Sequence, residues 1–127
     1  MFDKSTKSEQ ECKKLIKTLE PFGLKTNPLY YGYKACAEML MAKHVLNPFS
    51  KLSHFKKGKS MLENAINIDK NNVELIFLRY TIQTNVPSFL NYNQNQKGDK
   101  EFIINSLNTI EDIELRQIIK NYLKPRT

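Results

Sequence analysis

The chain of 127 residues contains little that would direct it to a membrane, to export or to a metal ion. Its two cysteines, Cys12 and Cys36, are too few for a disulfide framework or for a metal site of their own. No apolar run approaches the roughly 18 residues that a membrane helix requires. The first residues, "MFDKSTKSEQECKK", lack the apolar core of a signal peptide. We therefore expect a cytoplasmic protein without membrane insertion, or an exported one if a leader has been removed.

Arginine is also scarce, although the chain is strongly basic. It has three arginines and 17 lysines, and a net charge of +7. Residues 1–60 hold 12 lysines against five acidic residues, whereas the rest of the chain is neutral. Such asymmetry could steer an anionic partner towards the first half. However, arginine is the residue that best grips phosphate, and an excess of Lys, Asn and Ile is typical of AT-rich coding. The basic first half is therefore either functional or a compositional bias.

Apolar residues recur at helical spacing, and the alternation typical of strands is rare. Proline, glycine and Asn-Pro pairs predict where helices begin and end. The segment "NPFSKLSHF" is predicted to interrupt the helical pattern, and "VPSFLNYNQNQKGD" to form a long polar loop. The predicted fold is all-α, a single domain over residues 1–127, with about six helices at residues 6–19, 28–45, 53–68, 72–86, 99–107 and 111–123.

The central segment "GKSMLENAINIDKNNVELIFLRYTI" resembles the junction between two tetratricopeptide repeats. Gly58 lies where that motif has a small residue, Leu62 where it has a bulky one, and Ala65 where it has alanine. Small residues at positions 58 and 65 would let the two helices of a hairpin approach closely. The chain departs from the motif at Lys70, which replaces the usual proline of the turn.

The resemblance implies two degenerate tetratricopeptide-like helical hairpins over about residues 28–110. These hairpins would stack on each other, because neither can bury its apolar face alone. The first helix would flank one end, and the helix of about 111–123 would cap the other. The segments "GYKACAEMLMAKHVLNPFSKL" and "NNVELIFLRYTIQTNVPSFLNYN" are also similar to a family of small uncharacterised bacterial helical proteins, which implies no activity.

A groove that binds extended peptides is what the repeat resemblance implies for function. Aromatic rings beside basic side chains suit peptide side chains and carboxylates. The alternative is that the tyrosines are packing residues. The residues implied to line the groove are Tyr31, Lys34, Glu38, Arg79, Tyr80 and Gln83.

The long polar loop offers a second set of contact residues, Asn91, Tyr92 and Asn93. Long loops in compact domains are often functional. Equally, Phe89, Leu90 and Tyr92 could plug the end of a helix pair.

Patterns that carry chemistry are weak in this sequence. "FKKGKS" lacks the first glycine and the preceding strand of a phosphate-binding loop. His44 and His54 have no metal-ligand spacing, and the late carboxylates, such as Asp99 and Glu114, are explained by helix starts. We predict no catalytic, cofactor-binding or metal-binding residues.

Three hypotheses for function follow. The first is a non-enzymatic interaction module of tetratricopeptide-like type that binds a protein or peptide. The second is a basic module that binds nucleic acid or another polyanion, with binding that weakens steeply with salt. The third is an enzyme or ligand carrier, which would need a deep pocket with converging polar groups. Self-association into a homodimer is also open.

Overall fold

The computed structural model describes residues 8–124 of the chain. In this range the fold contains helices and no β-strand, so the predicted all-α fold with about six helices is confirmed there. Two short 3-10 turns, Ser88–Leu90 and Leu107–Thr109, connect helices in the last third of the chain. The α-helices are α1 (Glu9–Leu19), α2 (Pro28–Met41), α3 (Pro48–Ile68), α4 (Val73–Gln83), α5 (Gln96–Ser106) and α6 (Ile113–Leu123).

Most of these helices begin at a polar side chain that accepts a hydrogen bond from a backbone N–H two or three residues further on. Such caps satisfy donors that have no partner inside the helix. Two of the caps are followed by a proline in the first turn, where its missing N–H costs nothing. The capping residues are Ser8, Asn27, Asn47, Asn72 and Asp112.

The helical pattern is interrupted at Asn47, as predicted, but the predicted start of the third helix at residue 53 was wrong, because α3 begins at Pro48 and "PFSKLSHF" is helical. Asn47 is extended, and its Oδ1 accepts from the N–H of Phe49 at 2.8 Å, so that Pro48 starts the helix. Helix α2 ends earlier than predicted, at Met41, and the ammonium of Lys51 donates to the carbonyl of Ala42 at 2.9 Å. The Asn-Pro pair therefore separates two helices, and α3 is 21 residues long.

The predicted polar loop after α4 is shorter than expected. Helix α4 ends at Gln83 rather than near Pro87, and α5 begins at Gln96, so "QKGD" is helical. The 3-10 turn Ser88–Leu90 ends at Asn91, whose φ of 54° places it in the left-handed region that asparagine tolerates. Helix α6 begins two residues later than predicted, after its cap at Asp112.

By internal contacts the chain divides into two compact units, Met1–Leu78 and Arg79–Thr127, with the boundary inside α4. The single domain with a repeat-like core and a capping helix stays a prediction. In the part of the chain that the structure describes, no helix is long and apolar enough to cross a membrane.

Close packing of α2 against α3 dominates the first unit. The helices run antiparallel, since Lys51 reaches Ala42 near one end while Gly58 meets Ala35 and Met39 further along. A Cβ at position 58 would lie 2.5 Å from the carbonyl oxygen of Ala35. The prediction that Gly58 allows a close helix approach is therefore confirmed.

Helix α1 packs on α2 through Leu15, Leu19 and Ala37, all of which are buried. The Cys12 thiol, also buried, donates to the carbonyl of Ala37 at 3.1 Å. This bond fixes α1 beside the middle of α2.

In the second unit, aliphatic residues of α5 and α6 form the interior. Ile103 and Ile119 are fully buried, and Ile110 between the helices is nearly so. Near the end of α6, the Tyr122 hydroxyl accepts from Asn85 Nδ2 at 2.7 Å and lies 2.5 Å from the Thr84 hydroxyl. These bonds connect α6 with the end of α4.

Candidate functional site

Three of the six predicted groove residues, Tyr31, Lys34 and Glu38, belong to the first unit and lie on α2. The ammonium of Lys34 lies 5.8 Å from the centroid of the Tyr31 ring, a cation–π distance. Both side chains are half-buried. Part of each therefore stays accessible, as contact with a partner would require.

Glu38 is buried, with 6% of its surface exposed. Its Oε2 lies 3.1 Å from His54 Nδ1 and its Oε1 lies 3.3 Å from Lys57 Nζ, so that two side chains of α3 partner both oxygens. A buried carboxylate needs such partners to compensate for its lost hydration. Glu38 thus holds α2 to α3, and a ligand could reach it only by displacing them. The sequence did not indicate the pairing of His54 with an acid.

The other three predicted groove residues, Arg79, Tyr80 and Gln83, lie on the part of α4 that belongs to the second unit. Arg79 is 9% exposed, and its guanidinium forms a two-pronged pair with the buried carboxylate of Asp99. The two N–H groups reach the two carboxylate oxygens at 2.8 Å each. Asp99 was interpreted as a helix-start residue, but it also binds α5 to α4.

Gln83 is 2% exposed, and its side-chain amide pairs with Asn95. Its Oε1 accepts from the Asn95 backbone N–H, and its Nε2 donates to Asn95 Oδ1, both at 2.9 Å. The half-buried ring of Tyr80 meets the ring of Tyr122 edge to face, with 5.9 Å between centroids. Of these three residues, only Tyr80 retains substantial exposure.

The predicted loop contacts also include both buried and exposed residues. Tyr92 is 2% exposed, as expected of a plug, but Phe89, which was named with it in that interpretation, is 82% exposed. Asn91 and Asn93 are exposed. Gln94 ties the turn together, since its Nε2 donates to Asn91 Oδ1 at 2.9 Å and its Oε1 accepts from the Asn93 N–H at 3.1 Å.

The two cysteines are buried and poorly suited to nucleophilic chemistry. Burial raises the pKa of the Cys36 thiol to about 12. Burial, and secondly the charge of Glu38, raise the pKa of the Cys12 thiol to about 11. At neutral pH both remain thiols, which are unreactive compared with thiolates. Burial and a hydrogen bond to Glu74 likewise raise the pKa of the Tyr33 hydroxyl.

The most conspicuous exposed feature of the first unit is apolar and lies where α3 begins. Leu46 is 95% exposed, Phe49 83% and Leu52 41%. An open depression of about 310 Å³ is lined by Phe49, Leu52, Ser53 and Lys56. We call this set, Leu46, Phe49, Leu52, Ser53 and Lys56, the α3 entry surface. This surface was not predicted, because the third helix was expected to begin at residue 53, which left Phe49 and Leu52 outside a helix.

The α3 entry surface lies in the most basic stretch of the chain. Between Glu38 and Glu63 the sequence has five lysines and no acidic residue. The ammonium of Lys57 pairs with Glu38, and that of Lys51 donates to the carbonyl of Ala42. Lys56 lines the depression itself. The surface therefore combines apolar side chains with the positive charge of Lys56.

Groups that could hold a metal ion do not converge within residues 8–124, where no three His, Cys, Asp or Glu side chains form a cluster. His54 is hydrogen-bonded to Glu38, and His44 lies beyond the end of α2. No residue of this range stands out as a ligand by geometry.

Comparison with known proteins adds no identification, since no family model, curated protein or solved structure matches this chain. The resemblance to tetratricopeptide repeats stays a prediction from the sequence.

Proposed function

We propose that this chain is a non-enzymatic interaction module that binds a protein or peptide segment. The observation that carries the proposal is the α3 entry surface, where Phe49 is 83% exposed and lines an open depression with Leu52. Fully burying a side chain of this kind contributes about 1.5–3 kcal/mol, so its exposure leaves that free energy for association. Contiguous exposed apolar residues with a polar rim are typical of interaction sites.

The internal use of the buried charged groups favours a non-enzymatic role. Glu38 pairs with His54 and Lys57, and Asp99 pairs with Arg79. Burial keeps both thiols protonated. These groups serve packing, which is what an interaction scaffold requires of them.

The tetratricopeptide-like arrangement, and the similarity to small bacterial helical proteins, belong to this proposal. Support comes from the hairpin of α2 and α3, which packs closely at Gly58 as a repeat hairpin would. Of the residues that the resemblance implies for a groove, Tyr31 and Lys34 in the first unit and Tyr80 in the second keep accessible surface. We propose the cytoplasm as the location of this interaction.

The test is capture of partners from a lysate of the native cell on the immobilised protein, followed by elution in a salt gradient. The proposal predicts a discrete protein that survives moderate salt and is lost from a Tyr31→Ala or Phe49→Ser variant. Release of nucleic acid alone, at low salt and equally from all variants, would contradict it. Tyr31→Ala is preferable to Arg79→Ala, since the latter would strand the buried Asp99.

The second candidate function is binding of nucleic acid or another polyanion. Its support is the stretch from Glu38 to Glu63, with five lysines and no acid between them. Each phosphate neutralised releases counterions, so such binding would fall steeply with salt. A homopolymer oligonucleotide titrated at several salt concentrations distinguishes the two functions.

A further inference from the structure

We infer that the α3 entry surface docks a short acidic amphipathic segment, whose apolar side chains cover Phe49 and Leu52 and whose carboxylates face the lysines. The inference rests on the proposed interaction function and names the class of partner. It is carried by two properties of the surface, its apolar geometry and its charge.

The apolar geometry fits a helical partner. Phe49, Leu52 and Lys56 are spaced by three and four residues and therefore lie on one face of α3. Seven residues of helix rise about 10 Å, which is two turns. Two leucines four residues apart on a partner helix lie about 6 Å apart along its axis. Both can therefore contact the depression between Phe49 and Lys56, as in helix-in-groove recognition.

The charge selects an acidic partner. Lys56 lines the depression, and no acidic residue occurs in the sequence between Glu38 and Glu63. Opposite charge on the partner speeds encounter and fixes orientation. A second copy that docked through the same surface would bring lysines against lysines. A nucleic acid would satisfy the charge but would leave Leu46 and Leu52 without aliphatic partners.

The experiment uses the full chain and fluorescence polarisation of a short labelled peptide made of glutamate and leucine, with the leucines at helical spacing. Two companion peptides replace every leucine by serine, or every glutamate by lysine. The protein is compared with its Phe49→Ser variant and, as the matched control, with Phe89→Ser. Phe89 is 82% exposed but lies in the second unit. Circular dichroism verifies that all three proteins are folded.

We expect the glutamate–leucine peptide to bind and both companion peptides to bind much more weakly. Phe49→Ser is expected to weaken binding about tenfold or more, as truncation of an interface anchor does, and Phe89→Ser by less than about twofold. Lys56→Glu should also weaken binding, most strongly at low salt.

Three results would overturn the inference. Equal binding of the serine peptide would mean that charge alone is recognised, as the polyanion function predicts. If Phe49→Ser bound the glutamate–leucine peptide with unchanged affinity, the peptide would bind at another site. If the protein dimerised and Phe49→Ser abolished the dimer, a second copy of the chain would be the partner that covers the α3 entry surface. If Phe49→Ser still captured a discrete protein from the lysate and Tyr31→Ala did not, the proposed function would stand and only this docking surface would fail.

Discussion

Replacing each of two helical glycines by alanine is predicted to have opposite effects on stability. In a helix interior, alanine is favoured over glycine by roughly 0.5–1 kcal/mol. Gly98 lies in α5 with no atom within 4 Å of an added Cβ. Gly58 lies in α3, where an added Cβ would be 2.5 Å from the Ala35 carbonyl oxygen and from Met39 Cγ.

The magnitudes decide the sign at each position. At Gly98 only the helix preference acts, so Gly98→Ala should stabilise the protein by up to about 1 kcal/mol. At Gly58 the methyl group meets the backbone of α2, and this contact can be relieved only by moving the helix. Overpacking of this kind costs about 1–3 kcal/mol or more, which exceeds the gain from helix preference. We expect a net loss of about 1–2 kcal/mol, or roughly 3–10 °C in Tm.

Urea and thermal unfolding, followed by circular dichroism, measure both effects under the same conditions. Both variants share the preference of a helix for alanine over glycine. The difference between their free energies of unfolding therefore reports the clash at position 58. If Gly58→Ala were as stabilising as Gly98→Ala, the close approach of α2 and α3 at position 58 would be refuted.

Four further perturbations test other parts of the structure. Cys12 and Cys36 should resist a thiol reagent at pH 8, where a group of pKa about 11 is only about 0.1% ionised, and react fully in denaturant. Both thiol pKa values lie above the ordinary 9.0, so the stabilisation from the neutral thiols is complete below about pH 9 and is lost as the pH rises towards 11 and 12. The protein should therefore unfold at a lower urea concentration at these pH values. A free energy of unfolding that does not change up to pH 12 would contradict this. Asp99→Ala should lower the free energy of unfolding by about 3–5 kcal/mol, because it leaves the buried guanidinium of Arg79 without its carboxylate partner. A loss below about 1 kcal/mol in urea unfolding would contradict the buried pair. Asn47→Ala should cost about 1 kcal/mol through the lost cap, and no change in the urea midpoint would mean that Asn47 does not cap α3.

Local signals in the sequence predicted the helical architecture well. The Asn27–Pro28 pair marked the start of α2, and the spacing around Leu62 and Ala65 marked the buried face of α3. Gly58 was predicted to admit a close helix approach, and the contacts that its Cβ would make agree. These features depend on neighbours within a few residues, which a single sequence displays.

Features that depend on packing were not predictable in this way. The pairs of Glu38 with His54 and of Arg79 with Asp99 join residues 16 and 20 positions apart, on different helices. Their side chains look like groove residues or helix-start acids until the helices are placed side by side. The same Asn-Pro signal that starts α2 also starts α3, but it was interpreted as an interruption there. The exposed Phe49 was consequently not recognised as part of a helical face.

The most direct test of the central claim is a titration of the isotopically labelled protein with the glutamate–leucine peptide, followed through backbone amide chemical shifts. If the peptide docks at the α3 entry surface, the largest shifts will cluster at residues 46–56, around Phe49, and the turn Ser88–Leu90 will be unaffected. Shifts that spread over all lysines without a maximum near Phe49, or that centre on α5 and α6, would contradict it.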